Sequence, residues 1–486
     1  MATIVNEPIG SASPATQNSI ADCPEKLVEL TTTEKFSFGR DELAYIQLAG
    51  LQKRFRELVN KIPVLGRVAD TQKLNDIQSL EDGALLLLPH TMYKSYPLSA
   101  IEAGRFDRMT KWLDTLTAYD LSQVDTSACA SIDDWVDALN AASEVRVRHS
   151  SGTTGKLSFV PGSSVEVYTA AMSHQRYFQG FGDEPDADVE PLGKLPLIAC
   201  AHRRGAAGAA RTLDNFEQVF YNDDPTMILT PNPGRFSADM LSLGSRLEYA
   251  QSKGERGKTQ LSPALLARRD AFIREQEETP KRLDEFFEAV SGRLKGMPIV
   301  IIGVVPLVID VAVSGLARGL QNMFSPDGFA SIAGGAKGRS LPEDYPAVFA
   351  RFSGMPYPRT GYGMSEATAS MTRMCPSGHY HIPPNLIPYL IDPKDGTVRP
   401  RVGTQTGRLG IIDLAAQNRW GGFLSGDEIT LNFGDIEPCS CGRRGTYIQG
   451  EIRRYSESEG GDDKITCAGA PGVHDKALQF ISGAVE

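Results

Sequence analysis

Ser150-Ser151-Gly152-Thr153-Thr154-Gly155-Lys156 is the stretch on which the reading of this chain turns. Hydroxyl side chains and glycines fill it, and a lysine closes it. Glycine lets the backbone approach a ligand closely, so that successive N–H groups can point at one anion. Lys156 adds a mobile positive charge. The preceding Val145-Arg146-Val147-Arg148 alternates as a strand does, so the loop is expected to leave a sheet edge. The spacing Gly-x4-Gly-Lys-Ser/Thr is absent, which excludes a Walker A loop. The stretch reads as a phosphate-wrapping turn, although taken alone it also fits a flexible surface loop.

Three further elements follow in order: Ala333-Gly334-Gly335-Ala336-Lys337, Tyr362-Gly363-Met364-Ser365-Glu366 and Ser425-Gly426-Asp427. Together the four resemble the phosphate loop, the adenine-side Gly-Gly-Ala element, the Tyr-Gly-x-Thr/Ser-Glu motif and the Thr-Gly-Asp of adenylate-forming enzymes. That superfamily includes acyl-CoA synthetases, peptide-synthetase adenylation domains and luciferases. Two of its branches fit best. Leu51-Gln52, Arg54-Phe55, Ser79-Leu80-Glu81-Asp82, Pro89-His90-Thr91 and Lys94 resemble the N-terminal part of phenylacetate-CoA ligases. Gly334 to Arg339, Tyr362 to Glu366, Ile382-Pro383-Pro384, Asp392-Pro393 and Gly410 to Leu414 are more similar to acyl-protein synthetases, the bioluminescence-type enzymes that activate a fatty acid and pass it to a cysteine.

The resemblance implies a role for each residue. Joining a carboxylate to AMP needs the α-phosphate oriented for in-line attack, and positioning with electrostatics supplies most of such a rate enhancement. Ser150 to Lys156 would hold the β- and γ-phosphates of ATP. Gly334, Gly335 and Ala336 would lie on the adenine side, and Tyr362 would stack on the base. Asp427 would accept both ribose hydroxyls. Glu366 would carry Mg²⁺, because a carboxylate plus phosphate oxygens is the usual magnesium shell. Ser365 would bond the α-phosphate. An arginine usually follows the ribose aspartate, and Arg443, Arg444, Arg453 and Arg454 all qualify. The acyl pocket is expected near these elements and around Phe216, Phe220 and Tyr221.

A second constellation has metal-ligand chemistry. Cys439-Ser440-Cys441-Gly442 puts two thiols in a tight turn, and Cys375 is followed by His379 and His381. Three sulfurs and one imidazole make a closed tetrahedral zinc site. Similar elements occur in some phenylacetate-ligase relatives, and the Gly-x-His-Ile spacing favours His381, giving Cys375, His381, Cys439 and Cys441. Buried, unrelated cysteines are the plainer alternative.

Composition sets the outer limits. At 486 residues the chain holds an α/β domain with an ample core. A net charge of −10 argues against nucleic acid as a partner. Seven unevenly spread cysteines do not form a secreted disulfide framework, and no basic-then-apolar leader is visible, so a cytoplasmic protein is expected. Pro298–Val313 is apolar but short for a membrane span of about 20 residues, and reads as a buried strand followed by a helix over Pro306–Leu320.

The expected fold is α/β: a large adenylate-forming N-terminal domain with layered, mainly parallel sheets and a small antiparallel β subdomain. Residues 1–30 are expected as a loose tail, 31–140 as mainly helical with a strand at Ala84–Leu88, and 141–402 as the ATP-binding core. Residues 403–469 would form the β subdomain and a hinge remnant, and 470–486 a short tail. Asp462-Asp463-Lys464-Ile465 and Gly469 resemble the hinge before a mobile lid domain. Seventeen residues follow Gly469, so that lid is expected to be largely missing.

Cys467 sits where acyl-protein synthetases carry their acyl-accepting cysteine, although a small buried side chain is the simpler role for it. The expected function is ATP-dependent activation of a fatty or aryl acid to an acyl-adenylate, then acyl transfer to a protein cysteine. The partners would be the small acid and an acyl-acceptor or reductase protein. The alternatives are a CoA ligase of the phenylacetate type and a catalytically weak nucleotide-binding paralogue.

Overall fold

The computed structural model describes residues 20, 22–150, 156–179, 192–252, 263–335, 339–368, 372–434, 438–455 and 477. In chain order the strands begin with Leu88–Pro89 (β1), Val145–Ser150 (β2) and Ser158–Ser163 (β3). Next come Leu197–Cys200 (β4), His202–Gly205 (β5), Ile228–Leu229 (β6) and Asn232–Phe236 (β7). Val300–Val304 (β8), Phe329–Ala333 (β9), Gly361–Tyr362 (β10), Thr372–Arg373 (β11) and Tyr380–His381 (β12) follow. Leu386–Ile391 (β13), Thr404–Asp413 (β14), Gly422–Asn432 (β15) and Tyr447–Arg454 (β16) complete the set.

Two six-stranded sheets organise them. In the first, β6, β4, β8, β9 and β10 run parallel, with β11 antiparallel at the edge. Its strands are apolar runs because helices cover both faces. Every residue of Leu197–Cys200 is buried. The helix Val305–Ala317 leaves β8 directly, with Pro306 in its first turn, where a missing N–H costs nothing. It presses Val308, Ile309 and Ala312 into a cluster with Phe349 and Phe352. Gly315 permits this approach, since a Cβ there would lie 2.3 Å from Phe352 Cε2.

The second sheet is antiparallel in the order β12-β16-β15-β14-β13, with β1 joining β15 in parallel. It begins before residue 403, and the N-terminal helices share its core. Leu27, Leu51, Phe55 and Leu58 cluster with Tyr389, Ile412 and Trp420. Gln47 Nε2 donates to Pro384 O and Leu386 O, and Arg54 Nε donates to Leu414 O across 2.9 Å.

The strand expected at Ala84–Leu88 is a 3-10 helix over Glu81–Leu86, with strand pairing confined to Leu88–Pro89. A local turn and one tertiary contact decide this together. Asp82 Oδ2 accepts from Gln78 N and Ser79 N, and a Cβ on Gly83 would meet Tyr389 Oη at 2.4 Å. Lys253–Arg293, read as a helical pair, yields the helices Pro263–Ala267, Arg269–Glu277 and Thr279–Arg293 among the described residues.

A smaller device ties two helices at their starts. Asp239 of Ala238–Ser252 accepts from Ile132 N and Asp133 N, and Asp133 of Ile132–Ala142 accepts from Ser237 Oγ and Ala238 N. Each helix thus caps the unpaired amides of the other. Among the described residues, no helix is long and apolar enough to cross a membrane.

Candidate active site

A cavity of about 990 Å³ opens where the parallel strands end. Ligands of open α/β sheets bind at the carboxyl ends of the strands. Here Cys200 ends β4, Val304 ends β8, Ala333 ends β9 and Tyr362 ends β10, and all four line the cavity.

The sequence motifs meet on its wall. Ser150, Gly334, Tyr362, Ser365, Glu366 and Asp427 all line it, although they come from four separate stretches. The pairing of β9 with β10 sets Ala333 against Gly361, which brings Gly334 and Tyr362 together. Gly334 adopts φ 75°, a left-handed turn that suits glycine. Tyr362 Oη donates to Asp427 Oδ2 at 2.7 Å, and Arg454 Nε donates to Asp427 Oδ1 at 2.9 Å. Burial, and then the Asp427 carboxylate, hold the Tyr362 phenol well above its ordinary value, so it remains a donor. Each Asp427 oxygen keeps a lone pair for a further hydroxyl.

Of the four arginines, Arg454 is the one bonded to Asp427 and lining the cavity. Arg453 pairs with Glu428, Arg443 lies over the Phe36 ring, and Arg444 N donates to Phe36 O. The turn carrying Ser365 and Glu366 is anchored just beyond itself. Thr368 N donates to Asp413 Oδ2 at 2.6 Å, and the fully buried Arg419 donates to Thr368 Oγ1 at 2.8 Å. The helix Gly208–Phe220 starts beside Ser365, since a Cβ on Gly208 would sit 3.7 Å from Ser365 Oγ.

Not every predicted residue is at this wall. Lys156 does not line the cavity; its ammonium donates to Tyr96 O at 2.9 Å and lies 5.3 Å from the centre of the Tyr96 ring. Gly335 also falls outside the lining. Ser151, Gly152, Thr153, Thr154, Gly155, Ala336 and Cys467 lie outside the described residues. Phe216 reaches the cavity, whereas Phe220 does not, and Tyr221 donates to Leu195 O in the core.

Among the cavity residues with no role assigned from sequence are His90, Lys94, Arg148 and His149. Arg148 Nε and both ring nitrogens of His149 are buried without a hydrogen-bond partner among the described residues. Burial, and then the nearby Arg419, push Arg148 down to about 10, so it stays charged near neutral pH. Burial pushes His149 down to about 4 and keeps it neutral. A cationic wall with unused donors fits an anion such as a polyphosphate. The available signal was position: Arg148 is the last charge of the alternating run before the hydroxyl-rich loop.

Three thiols and one imidazole come together on the antiparallel side. Ligand atoms of Cys375, His381, Cys439 and Cys441 all lie within 4.8 Å of one another. Cys375 Sγ is 3.9 Å from Cys439 Sγ, and Cys441 Sγ is 3.3 Å from His381 Nε2. Tetrahedral zinc with bonds of about 2.0–2.3 Å requires ligand separations of roughly 3.5–3.8 Å. The donor set fits zinc in type, and two of its separations lie close to the tetrahedral values. Burial pushes His381 down to about 3, keeping the neutral form that offers a lone pair. His379 is a neighbour, with Nδ1 3.2 Å from Cys439 Sγ and its ring stacked on Tyr447.

No family model and no curated protein matches the chain. Solved structures do. An open conformation of 2-hydroxyisobutyryl-CoA ligase in complex with 2-HIB-AMP and CoA is 15% identical, with a TM-score of 0.47 over 86% of this chain and 76% of that one. The same ligase in the thioesterification state is 15% identical, with a TM-score of 0.49 over 86% and 69%. O-succinylbenzoate coenzyme A synthetase from Bacillus subtilis, in complex with AMP, is 13% identical, with a TM-score of 0.32 over 62% and 48%. The chain is similar to acyl-CoA ligases.

Proposed function

We propose that this protein is an adenylate-forming acid–thiol ligase. It would join a carboxylic acid to the α-phosphate of ATP, release pyrophosphate, and pass the acyl group of the resulting acyl-adenylate to a thiol. One observation carries this reading: Ser150, Gly334, Tyr362 to Glu366 and Asp427, dispersed along the sequence, line one cavity at the ends of the parallel strands.

Each residue then has a task. Asp427, held by Tyr362 and Arg454, accepts from the ribose hydroxyls. Ser365 bonds the α-phosphate while a carboxylate oxygen of the acid attacks phosphorus and the bond to the pyrophosphate oxygen breaks. Arg148, aided by Lys94, offsets the charge growing on the departing pyrophosphate. Glu366 would hold magnesium, which neutralises phosphate charge. The four-ligand cluster would hold a structural zinc that ties the loop after Cys375 to the turn at Cys439.

The acceptor is a protein thiol, Cys467 or a partner protein's cysteine, on the strength of the resemblance to acyl-protein synthetases. Coenzyme A is the second reading, favoured by the Cys439-Ser440-Cys441-Gly442 element that phenylacetate-type ligases share. The setting would be cytoplasmic. ATP–pyrophosphate exchange with a panel of fatty and aryl acids tests the first half-reaction. Radiolabelled acid with ATP and Mg²⁺, with and without CoA, tests the second, with Cys467→Ser as control. No exchange with any acid, alone or with candidate partner proteins, would leave a nucleotide-binding paralogue as the better account.

A further inference from the structure

Beyond the nucleotide-lining residues, the cavity runs into an apolar recess between the helices Val167–Gln179 and Gly208–Phe220. Ala170 and Phe178 line it from the first helix, Phe216 from the second, and Ala199 and Ile302 from the parallel sheet. None of these carries a charge, so the recess suits the tail of an apolar acid. Polar groups share these walls: Thr212 and Asn215 from the second helix, Ser331 from the sheet, and His174 from the first helix. His174 lines the recess, its ring edge-on to Phe216 at 5.3 Å and tilted against Phe178 at 6.5 Å.

The bonding of His174 fixes what it can recognise. Nδ1 lies 2.9 Å from Ala170 O, one helical turn back. A carbonyl only accepts, so Nδ1 carries the proton and donates. Burial lowers the affinity of the ring for a second proton, and the charge of Arg148 works in the same direction. The ring is therefore neutral, and Nε2 is left with a lone pair. The side chain is enclosed by protein yet still partly accessible, which means that it presents surface to the cavity.

We infer that His174 is a specificity-determining residue and that the acid activated here is a largely apolar one bearing a hydroxyl or N–H donor, which His174 Nε2 accepts. The inference rests on the adenylate-forming reading and deepens it by naming the substrate class. An acid lacking that donor would leave Nε2 facing apolar surface without a partner. Sites built around a hydrogen bond reject the deleted analogue far more strongly than apolar pockets reject a missing methylene.

The test measures kcat/KM for ATP–pyrophosphate exchange with matched acids: 4-hydroxybenzoate and benzoate, 4-hydroxyphenylacetate and phenylacetate, 3-hydroxydecanoate and decanoate. The wild type is expected to prefer the hydroxylated member of its best pair by at least about 100-fold. His174→Phe is expected to shrink that ratio to within about fivefold, by losing the hydroxylated acid and accepting the plain one better. His174→Gln, which restores an acceptor oxygen, is expected to recover part of the ratio. Plain acids that work as well as their partners in the wild type overturn the inference alone, whether or not the variants fold. A ratio that survives His174→Phe also overturns it. Exchange with no acid of any kind removes the adenylate-forming reading, and the inference falls with it.

Discussion

Tyr362 and Asp427, sixty-five positions apart, are joined by a 2.7 Å hydrogen bond that links the parallel sheet to the antiparallel one. Tyr362 ends β10, and Asp427 lies within β15. The bond joins the two sheets at one cavity wall, so contacts made there depend on the packing of both. Asp427→Asn is expected to raise the KM for ATP about 10- to 100-fold in the exchange assay, as hydrogen bonds to a charged group are worth about 1.5–3 kcal/mol. Tyr362→Phe removes one positioning bond of about 1 kcal/mol, and a roughly fivefold increase is expected. Unchanged ATP dependence in Asp427→Asn would remove Asp427 from the nucleotide site.

Arg148 brings a buried guanidinium with unused bonding capacity to the same wall. If it meets the departing pyrophosphate, Arg148→Ala should lower the exchange kcat by about 10²-fold or more, as deletion of a transition-state donor does. Arg148→Lys should rescue little, because an ammonium lacks the planar fork. A variant with wild-type kcat would return Arg148 to a packing role.

The thiol cluster predicts one zinc per chain, measurable by elemental analysis of protein purified without added metal. Cys439→Ser and His381→Ala should each abolish the zinc signal, whereas His379→Ala should retain it. Chelation should lower the melting temperature, because metal affinity for a structural site contributes to folding stability. Zinc retained in His381→Ala and lost in His379→Ala would reverse the ligand assignment.

The reciprocal caps carry a pH dependence. Burial, then the neighbouring Asp133 carboxylate, push Asp239 up to about 7 from an ordinary value near 3.8. The folded state therefore holds this proton more tightly than the unfolded one. Its contribution to stability is complete below about pH 4 and declines as pH rises toward 7. Chemical denaturation across that range should show the decline in the wild type and a flatter profile in Asp239→Asn. An equally steep slope in the variant would place the dependence elsewhere.

The parallel strands were readable in sequence because burial on both faces demands uninterrupted apolar runs, and Val300–Val304 and Phe329–Ala333 supply them. Strands β14 to β16 were readable from alternation and glycine punctuation, whereas β13, buried at all six residues, carries no alternation to read. The short strand near Ala84 was misplaced because its conformation depends on Tyr389, more than 300 positions away. Recognition of Ser365, Glu366 and Asp427 needed only local order along the chain. No local pattern told Arg454 from its three neighbouring arginines, or marked Arg148 and His174 as cavity residues.

The sequence by itself determined which residue types were present and in what order: a hydroxyl-rich glycine loop, three short motifs, and three thiols with two imidazoles. Their chemistry limits what they can bind, whatever the fold. Tertiary structure decided which of them share a surface. It bonded Arg454 to Asp427, turned Lys156 toward Tyr96 and away from the cavity, and set His174 on the cavity wall. Those outcomes depend on strand register and helix packing, which are set by the whole core and not by neighbours in the chain.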